Sequence, residues 1–220
     1  MIETDSGKHK IDFSIHGIPV IGQFVQRAAE MEKLEVFLLD GPTLTGRRKV
    51  VVLHGLGGIG KTQLAVEFAR KHHGRFSSVF WLDGSSEESL KQSFASIMRR
   101  LPRTELAASG IKMASQTTVD EAVQACLHWF SLPTNRQWLL IFDNVDRDYP
   151  NADDSQAYDV KQYLPNVDYG SVLITSRLSR LRKQGSGIKV GTVDKEQART
   201  MLESSAGRTI QGGIRFILFT

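Results

Sequence analysis

The chain is poor in cysteine: Cys126 is the single one in 220 residues, so no disulfide can form within it. Cys126 falls on the apolar side of a helical pattern, which reads as core. No apolar run approaches the roughly 18 residues of a spanning helix. The opening Met1-Ile2-Glu3-Thr4-Asp5-Ser6-Gly7-Lys8 has no apolar stretch of the secretory kind, and a cytoplasmic location is the expectation. Also lacking is a basic stripe interleaved with aromatics. The net charge is +4 and the pI about 9.2, but the cations are scattered over Arg47-Arg48-Lys49, Lys71, Arg99-Arg100 and Arg177 to Lys183. Solvated surface and phosphate chemistry account for them, and nucleic acid is not expected as a ligand. The six histidines show no metal-ligand spacing beyond His72-His73, a doublet at a helix end where cations are favoured. What remains, 40% hydrophobic and 24% charged, is the composition of an ordinary globular chain with a real core.

What the sequence does have is Gly55-Leu56-Gly57-Gly58-Ile59-Gly60-Lys61-Thr62. It fits G-x-x-x-x-G-K-[ST], with the apolar Val50 to Leu53 before it and the helix-like Gln63 to Arg70 after it. Strand, glycine loop and helix start are the context of a phosphate-binding P-loop. Glycines let the backbone curl around a polyphosphate with its N–H groups inward, and the helix N-terminus adds partial positive charge. Lys61 supplies a full charge near the β- and γ-phosphates, and the Thr62 hydroxyl suits Mg²⁺. Gly55, Gly57, Gly58, Ile59, Gly60, Lys61, Thr62 and Gln63 are therefore the expected nucleotide-binding residues. The competing reading is a degenerate loop that keeps its shape without a ligand.

Periodicity places the remaining elements. A helix is predicted from Ala28, with Met31, Leu34, Leu38 and Leu39 inward and Gly41-Pro42 as its stop. Strands are predicted at Val50–Leu53, Val79–Leu82, Trp138–Phe142, Ser171–Thr175 and, fifth, Ile188–Val190. Ser86 caps a helix carrying Leu90, Phe94, Ile97, Met98 and Leu101, and Thr118 to Glu121 is a capping box. Pro102 to Gln116 reads as loop, Asp148 to Gln156 as turn-rich, Val160 to Leu164 as a short helix. A further helix is predicted from Asp194. Strands separated by helices predict a three-layer α/β/α sandwich on a mostly parallel five-stranded sheet. Residues 1–19 are polar and aperiodic, a flexible lead-in by expectation; residues 20–207 form the domain, and the tail 208–220 matches no element.

Trp138-Leu139-Leu140-Ile141-Phe142-Asp143 is an apolar strand ending in an acid, a Walker B arrangement that can hold a carboxylate near the loop's Mg²⁺. Taken alone, Asp143 reads equally as a turn residue; the upstream P-loop favours the metal role. Thr175-Ser176-Arg177 ends the fourth strand, and loops at strand C-termini face the ligand in such sheets. Arg177 is then a candidate γ-phosphate sensor, the alternative being a solvated surface arginine.

Together, His54 to Ala65, Phe80-Trp81-Leu82-Asp83, Leu139 to Asn144 and Ile174-Thr175-Ser176-Arg177 resemble the NB-ARC domain of STAND NTPases, the switch domains of apoptosis regulators, plant disease-resistance proteins and fungal NOD-like receptors. The composite closely resembles the fungal members. Phe24-Val25-Gln26-Arg27-Ala28-Ala29-Glu30-Met31 is similar to the family's Phe-Val-Gly-Arg-x-x-Glu-Leu segment, with Gln26 in place of glycine. The resemblance implies bound ADP or ATP with Mg²⁺ on Thr62 and Asp143, Val25 and Arg27 beside the adenine, and a sensor strand between the Walker A and Walker B strands that brings Arg177 near Lys61. Asp143, Asn144 and Arg177 are the candidate catalytic residues.

There are two departures. Where family members often carry a second acid, this chain has Asn144, with Asp146 two residues on. An amide orients water but accepts no proton at neutral pH, so hydrolysis is expected to be slow or absent. The family also continues into a helical domain with a Gly-Leu-Pro-Leu motif and a winged-helix domain whose histidine holds ADP, and neither is found in these 220 residues. The leading expectation is thus an adenine-nucleotide-binding NB-ARC module of a signalling or immune-receptor-like protein, open to protein partners or self-association. The alternatives are an active AAA+-like ATPase and a nucleotide-independent fragment that pairs with full-length receptors.

Overall fold

A computed structural model of the chain describes residues 9–14, 27–40, 48–108, 117–147, 149, 154, 156–192 and 199. Five strands form its centre: β1 (Lys49–His54), β2 (Ser78–Asp83), β3 (Trp138–Asp143), β4 (Ser171–Ser176) and β5 (Ser186–Lys189). They lie in the order β2-β3-β4-β1-β5, and every pairing is parallel. The predicted sensor strand, β4, does lie between β1 and β3. Such a sheet is covered on both faces, which is why β3 and β4 read as unbroken apolar runs and not as alternation. All six residues of β4 are buried.

Alternate residues of each strand feed two cores. Phe80, Leu82, Leu140, Phe142, Val172 and Ile174 face one side, where α3 (Glu87–Met98) and α5 (Val119–Phe130) pack together. Val51, Leu53, Leu139, Ile141 and Leu173 face the other, under α1 (Ala28–Glu35) and α2 (Lys61–His72). This is the three-layer α/β/α sandwich. Both predicted caps form. Ser86 Oγ accepts from Ser89 N at 3.1 Å, and Thr118 and Glu121 exchange hydrogen bonds as a capping box. Cys126 is fully buried, its thiol donating to Phe94 O at 3.4 Å, and burial pushes its pKa far up.

Several elements differ from expectation. α1 widens into a π-helical turn over Val36–Asp40, with Leu38 buried and Leu39 half-buried. Part of the segment read as loop is helical: α4 spans Arg103–Ala108. Its stabilisation is tertiary. Beyond the local bonds from Glu105 N and Leu106 N to Pro102 O, Leu106 is fully buried, and Trp129 Nε1 donates to Glu105 Oε2 at 2.8 Å. Such long-range contacts leave little trace in local periodicity.

Residues 9–14, within the expected lead-in, pack on the domain. His9 is buried, with Nδ1 2.6 Å from Glu105 Oε2 and Nε2 2.9 Å from Thr134 Oγ1. Ile11 N donates to Ser77 O, and the Phe13 and His73 rings stack at 4.9 Å. Burial and side-chain partners, not composition, decide whether a terminal segment is held. Val160–Tyr163 is a single 3₁₀ turn. The Gly41-Pro42 stop, Val25, the tail 208–220 and, Arg199 apart, the helix predicted from Asp194 lie outside the described residues.

Candidate functional site

The loop from Gly55 to Gly60 leaves the C-terminal end of β1 and ends on the first turn of α2. Two glycines are required by geometry. Gly60 is the N-cap residue of α2 at φ +97°, in the left-handed region that suits glycine. A Cβ on Gly55 would stand 2.5 Å from Val190 O, so a side chain there would push apart the loop and the end of β5. Beyond the loop, the unsatisfied N–H groups of α2's first turn form the positive end of its dipole.

Behind the loop, Lys61 is buried at 9% exposure and donates through Nζ to Gly55 O at 3.0 Å and Leu56 O at 2.8 Å. Burial lowers its pKa, and the Arg177 charge adds to that; Asp146 and Asp143 oppose it. Thr62 Oγ1 donates to Asp143 Oδ1 at 2.8 Å, and Thr175 Oγ1 donates to the same oxygen at 2.5 Å. Burial raises the Asp143 pKa, while both hydroxyl bonds pull it back down. A hydroxyl and a carboxylate this close are hard oxygen donors of the kind Mg²⁺ takes, and that ion needs only one or two protein oxygens when phosphates and water complete its shell. The residues present fit the cation that the motif implies.

A cavity of about 410 Å³ opens in front of these groups, within the range of small-molecule sites. Gly57 to Thr62 line one wall, and Gln63, Val66, Glu67 and Arg70 of α2 another. Asn144, Asp146, Thr175 and Arg177, at the ends of β3 and β4, close it. Asn144 has φ +67°, a conformation asparagine tolerates better than most residues, and its N–H donates to Thr175 Oγ1 at 2.9 Å. Arg177 N and Nε donate to Asp146 Oδ1 and Oδ2 at 2.6 and 2.5 Å. The Arg177 side chain lies against the loop, with Cδ 3.6 Å from where a Gly57 Cβ would stand.

The structure thus brings Lys61, Thr62, Asp143, Asn144 and Arg177 together, although the three strand ends that supply them are far apart in sequence. Arg27 also reaches the loop. Its Nη2 donates to Ile59 O at 2.7 Å and its Nη1 to Gly191 O at 2.9 Å, with Nη1 also 3.3 Å from Glu30. It braces the P-loop against the end of β5. Sequence reasoning passed over Thr175, which ties Asp143 to the start of the next loop, and the α2 residues Val66, Glu67 and Arg70. The latter had a signal: with Gln63 they recur at three- and four-residue spacing on the face that follows Thr62.

The chain matches the NB-ARC domain family over residues 27–211. It is 29% identical over 176 residues to a nucleotide-binding leucine-rich repeat (NLR)-like protein of Hyaloscypha variabilis, an alignment covering 76% of this chain and 17% of that protein. Among solved structures it resembles Cdc6p from Pyrobaculum aerophilum, with a TM-score of 0.57 and 11% identity over 87% of this chain and 52% of that one. It also resembles the Aeropyrum pernix ORC2 protein, solved as ADPNP-ADP complexes, with a TM-score of 0.52 and 15% identity over 91% of this chain and 56% of that one. At these identities the structural likeness speaks for a shared α/β P-loop fold. The chain spans about a sixth of the NLR-like protein and about half of each solved chain.

Proposed function

The chain belongs to the NB-ARC domain family, and on that premise we propose that it binds an adenine nucleotide, ADP or ATP, with Mg²⁺, and hydrolyses ATP slowly or not at all. The observation that carries the proposal is the 2.8 Å contact between Asp143 and Thr62, the latter a residue of the cavity wall. It couples the P-loop hydroxyl to the Walker B carboxylate, two groups with no local reason to meet.

In this reading the N–H groups of the loop and of α2's first turn receive the phosphates, and Lys61 adds its charge. Thr62 and Asp143 hold Mg²⁺, which supplies charge neutralisation at the phosphate oxygens. Adenine is favoured by the family and by the nucleotides of the ORC2 complexes. The family resemblance would set Val25 and Arg27 beside the base; Arg27 borders Gly60 while its terminal nitrogens hold carbonyls.

Slow turnover follows from the groups available to take a proton from water. Asn144 cannot accept one. Asp146 is occupied at both oxygens by Arg177. Glu67 lies five residues beyond Thr62, which is roughly 7.5 Å further along the helix axis. Slow turnover suits a module that holds one nucleotide state for long periods, as in a cytoplasmic signalling or immune-receptor-like protein whose ADP and ATP forms favour different domain arrangements or protein partners.

Extraction of the purified chain and identification of the released nucleotide test this directly. The expected result is ADP or ATP in near-stoichiometric amount. A chain that purifies empty and takes up neither Mg-ADP nor Mg-ATP in a calorimetric titration sinks the proposal.

A further inference from the structure

Arg177 is exposed at 61%, and Asp146, at 14%, is not. An exposed arginine ordinarily samples many rotamers. This one has its main-chain N–H and its Nε on the two oxygens of a single carboxylate, at 2.6 and 2.5 Å. Main chain and side chain therefore share one anchor, which restrains the guanidinium relative to its own backbone. Among the described residues neither terminal nitrogen has a partner. Nη1 stands 3.8 Å from the position of a Gly57 Cβ, so the free edge of the fork lies along the apex of the P-loop. A planar fork held at Nε presents its remaining N–H groups in a direction set by the clamp, which suits an oxyanion.

We propose that Asp146 is a positioning residue whose two-point hold on Arg177 sets the preference of the site between a nucleoside triphosphate and a diphosphate. This rests on the nucleotide-binding reading above. A carboxylate on the wall of an anion site has an electrostatic cost that falls harder on the more highly charged ligand. On charge alone, removing Asp146 favours the triphosphate. On positioning, removing it frees Arg177 and disfavours the triphosphate. The two effects have opposite signs, so the nucleotide preference separates them. The same hold sets a guanidinium against Asp146 in competition with water for its oxygens.

The test is calorimetric titration of the whole chain with Mg-ADP and with Mg-AMP-PNP, reading the ratio of the two dissociation constants, ADP over AMP-PNP. Wild type is read first: binding of neither nucleotide overturns the binding proposal itself, and this inference with it. Given binding, Asp146→Asn is expected to lower the ratio about tenfold, as loss of one charge-assisted contact implies. Arg177→Gln should lower it as much, and the double variant no further. Asp146→Glu keeps the charge and shifts the clamp by one methylene; it should lower the ratio by a smaller factor, and it carries the test should Asp146→Asn not fold. A ratio that stays constant or rises in the Asp146 variants, or a double variant whose loss is the product of the single ones, overturns the inference.

Discussion

The Thr62 hydroxyl sits 2.8 Å from Asp143 Oδ1, across 81 residues of chain. That contact joins the first turn of α2 to the end of β3 and makes one site from two motifs. It also means that ligand binding at the loop acts on the sheet. A ligand present at 100 times its dissociation constant stabilises the folded state by about 2.7 kcal/mol. For a chain of this size, saturating Mg-ADP should raise the melting temperature by roughly 5–10 °C. Lys61→Ala should abolish most of that rise. Equal shifts for wild type and variant in a thermal scan would show that the nucleotide binds elsewhere.

Asp143 is held against its solvation preference. Burial lifts its folded pKa above the unfolded value, with the bonds from Thr175 and Thr62 only partly offsetting this. The ionised group therefore weakens the fold at pH above the folded pKa, and the weakening fades as pH falls through that value toward the unfolded one. Asp143→Asn keeps the acceptor oxygen and removes the charge. Its apo melting temperature at pH 7 should be no lower than that of wild type, and the difference should shrink on acidification. Its nucleotide affinity should lose the response to Mg²⁺ that wild type shows. A variant that melts several degrees lower at pH 7 would mean that the carboxylate contributes net stability.

Cys126 should be chemically silent in the folded chain. It is fully buried, its thiol bonds to a helix carbonyl, and burial holds it protonated, whereas the thiolate is the reactive form. Labelling by a thiol reagent should require opening of the α3–α5 side of the core, and Mg-ADP should slow it further by populating the closed state. Fast labelling of the native chain, insensitive to nucleotide, would contradict both the packing and the linkage.

His9 tests the independence of the far end of the molecule. Its two ring nitrogens meet Glu105 and Thr134, so His9→Ala takes one partner from each, while Glu105 keeps its bond from Trp129 Nε1. The expected cost is about 1–3 kcal/mol, measured by urea denaturation. Nucleotide affinity should stay within about twofold of wild type, since His9 packs on α4 and not on the loop. A large loss of affinity would reveal coupling between that strap and the site.

How much of this was legible in the sequence follows from which forces are local. Val172, Leu173 and Ile174 announce a strand buried on both faces, because each residue must find a core on its own side. The P-loop was readable because Gly60 and Lys61 obey a backbone requirement at fixed spacing. The position of β4 between β1 and β3, and with it Arg177 near Lys61, came from family resemblance and is borne out in the sheet. The short helix α4 was not readable, since Leu106 and Glu105 are stabilised by partners many residues away. Nor was the Asp146–Arg177 hold, which joins two loops 31 residues apart with no motif to mark it. Family resemblance set Arg27 beside the adenine, and nothing in the sequence marked it as the brace between Ile59 and Gly191.

Asn144 offers the sharpest test of the slow-hydrolysis reading. Its backbone is fixed at φ +67° and tied to Thr175 Oγ1 through its own N–H. Asp is nearly isosteric with Asn and tolerates the left-handed conformation almost as well, so Asn144→Asp should fold with little change in melting temperature. It places a carboxylate on the cavity wall where wild type has an amide, one that, unlike Asp146, is not already gripped by a guanidinium. A positioned general base contributes about 10²–10⁴-fold to proton-transfer catalysis. If proton acceptance limits turnover, phosphate release from ATP should rise at least tenfold in Asn144→Asp and vanish in the double variant with Lys61→Ala. An unchanged rate in a folded variant that binds ATP would place the limit elsewhere, at water access or product release. A wild-type chain that already turns over rapidly would remove the premise and favour an active ATPase.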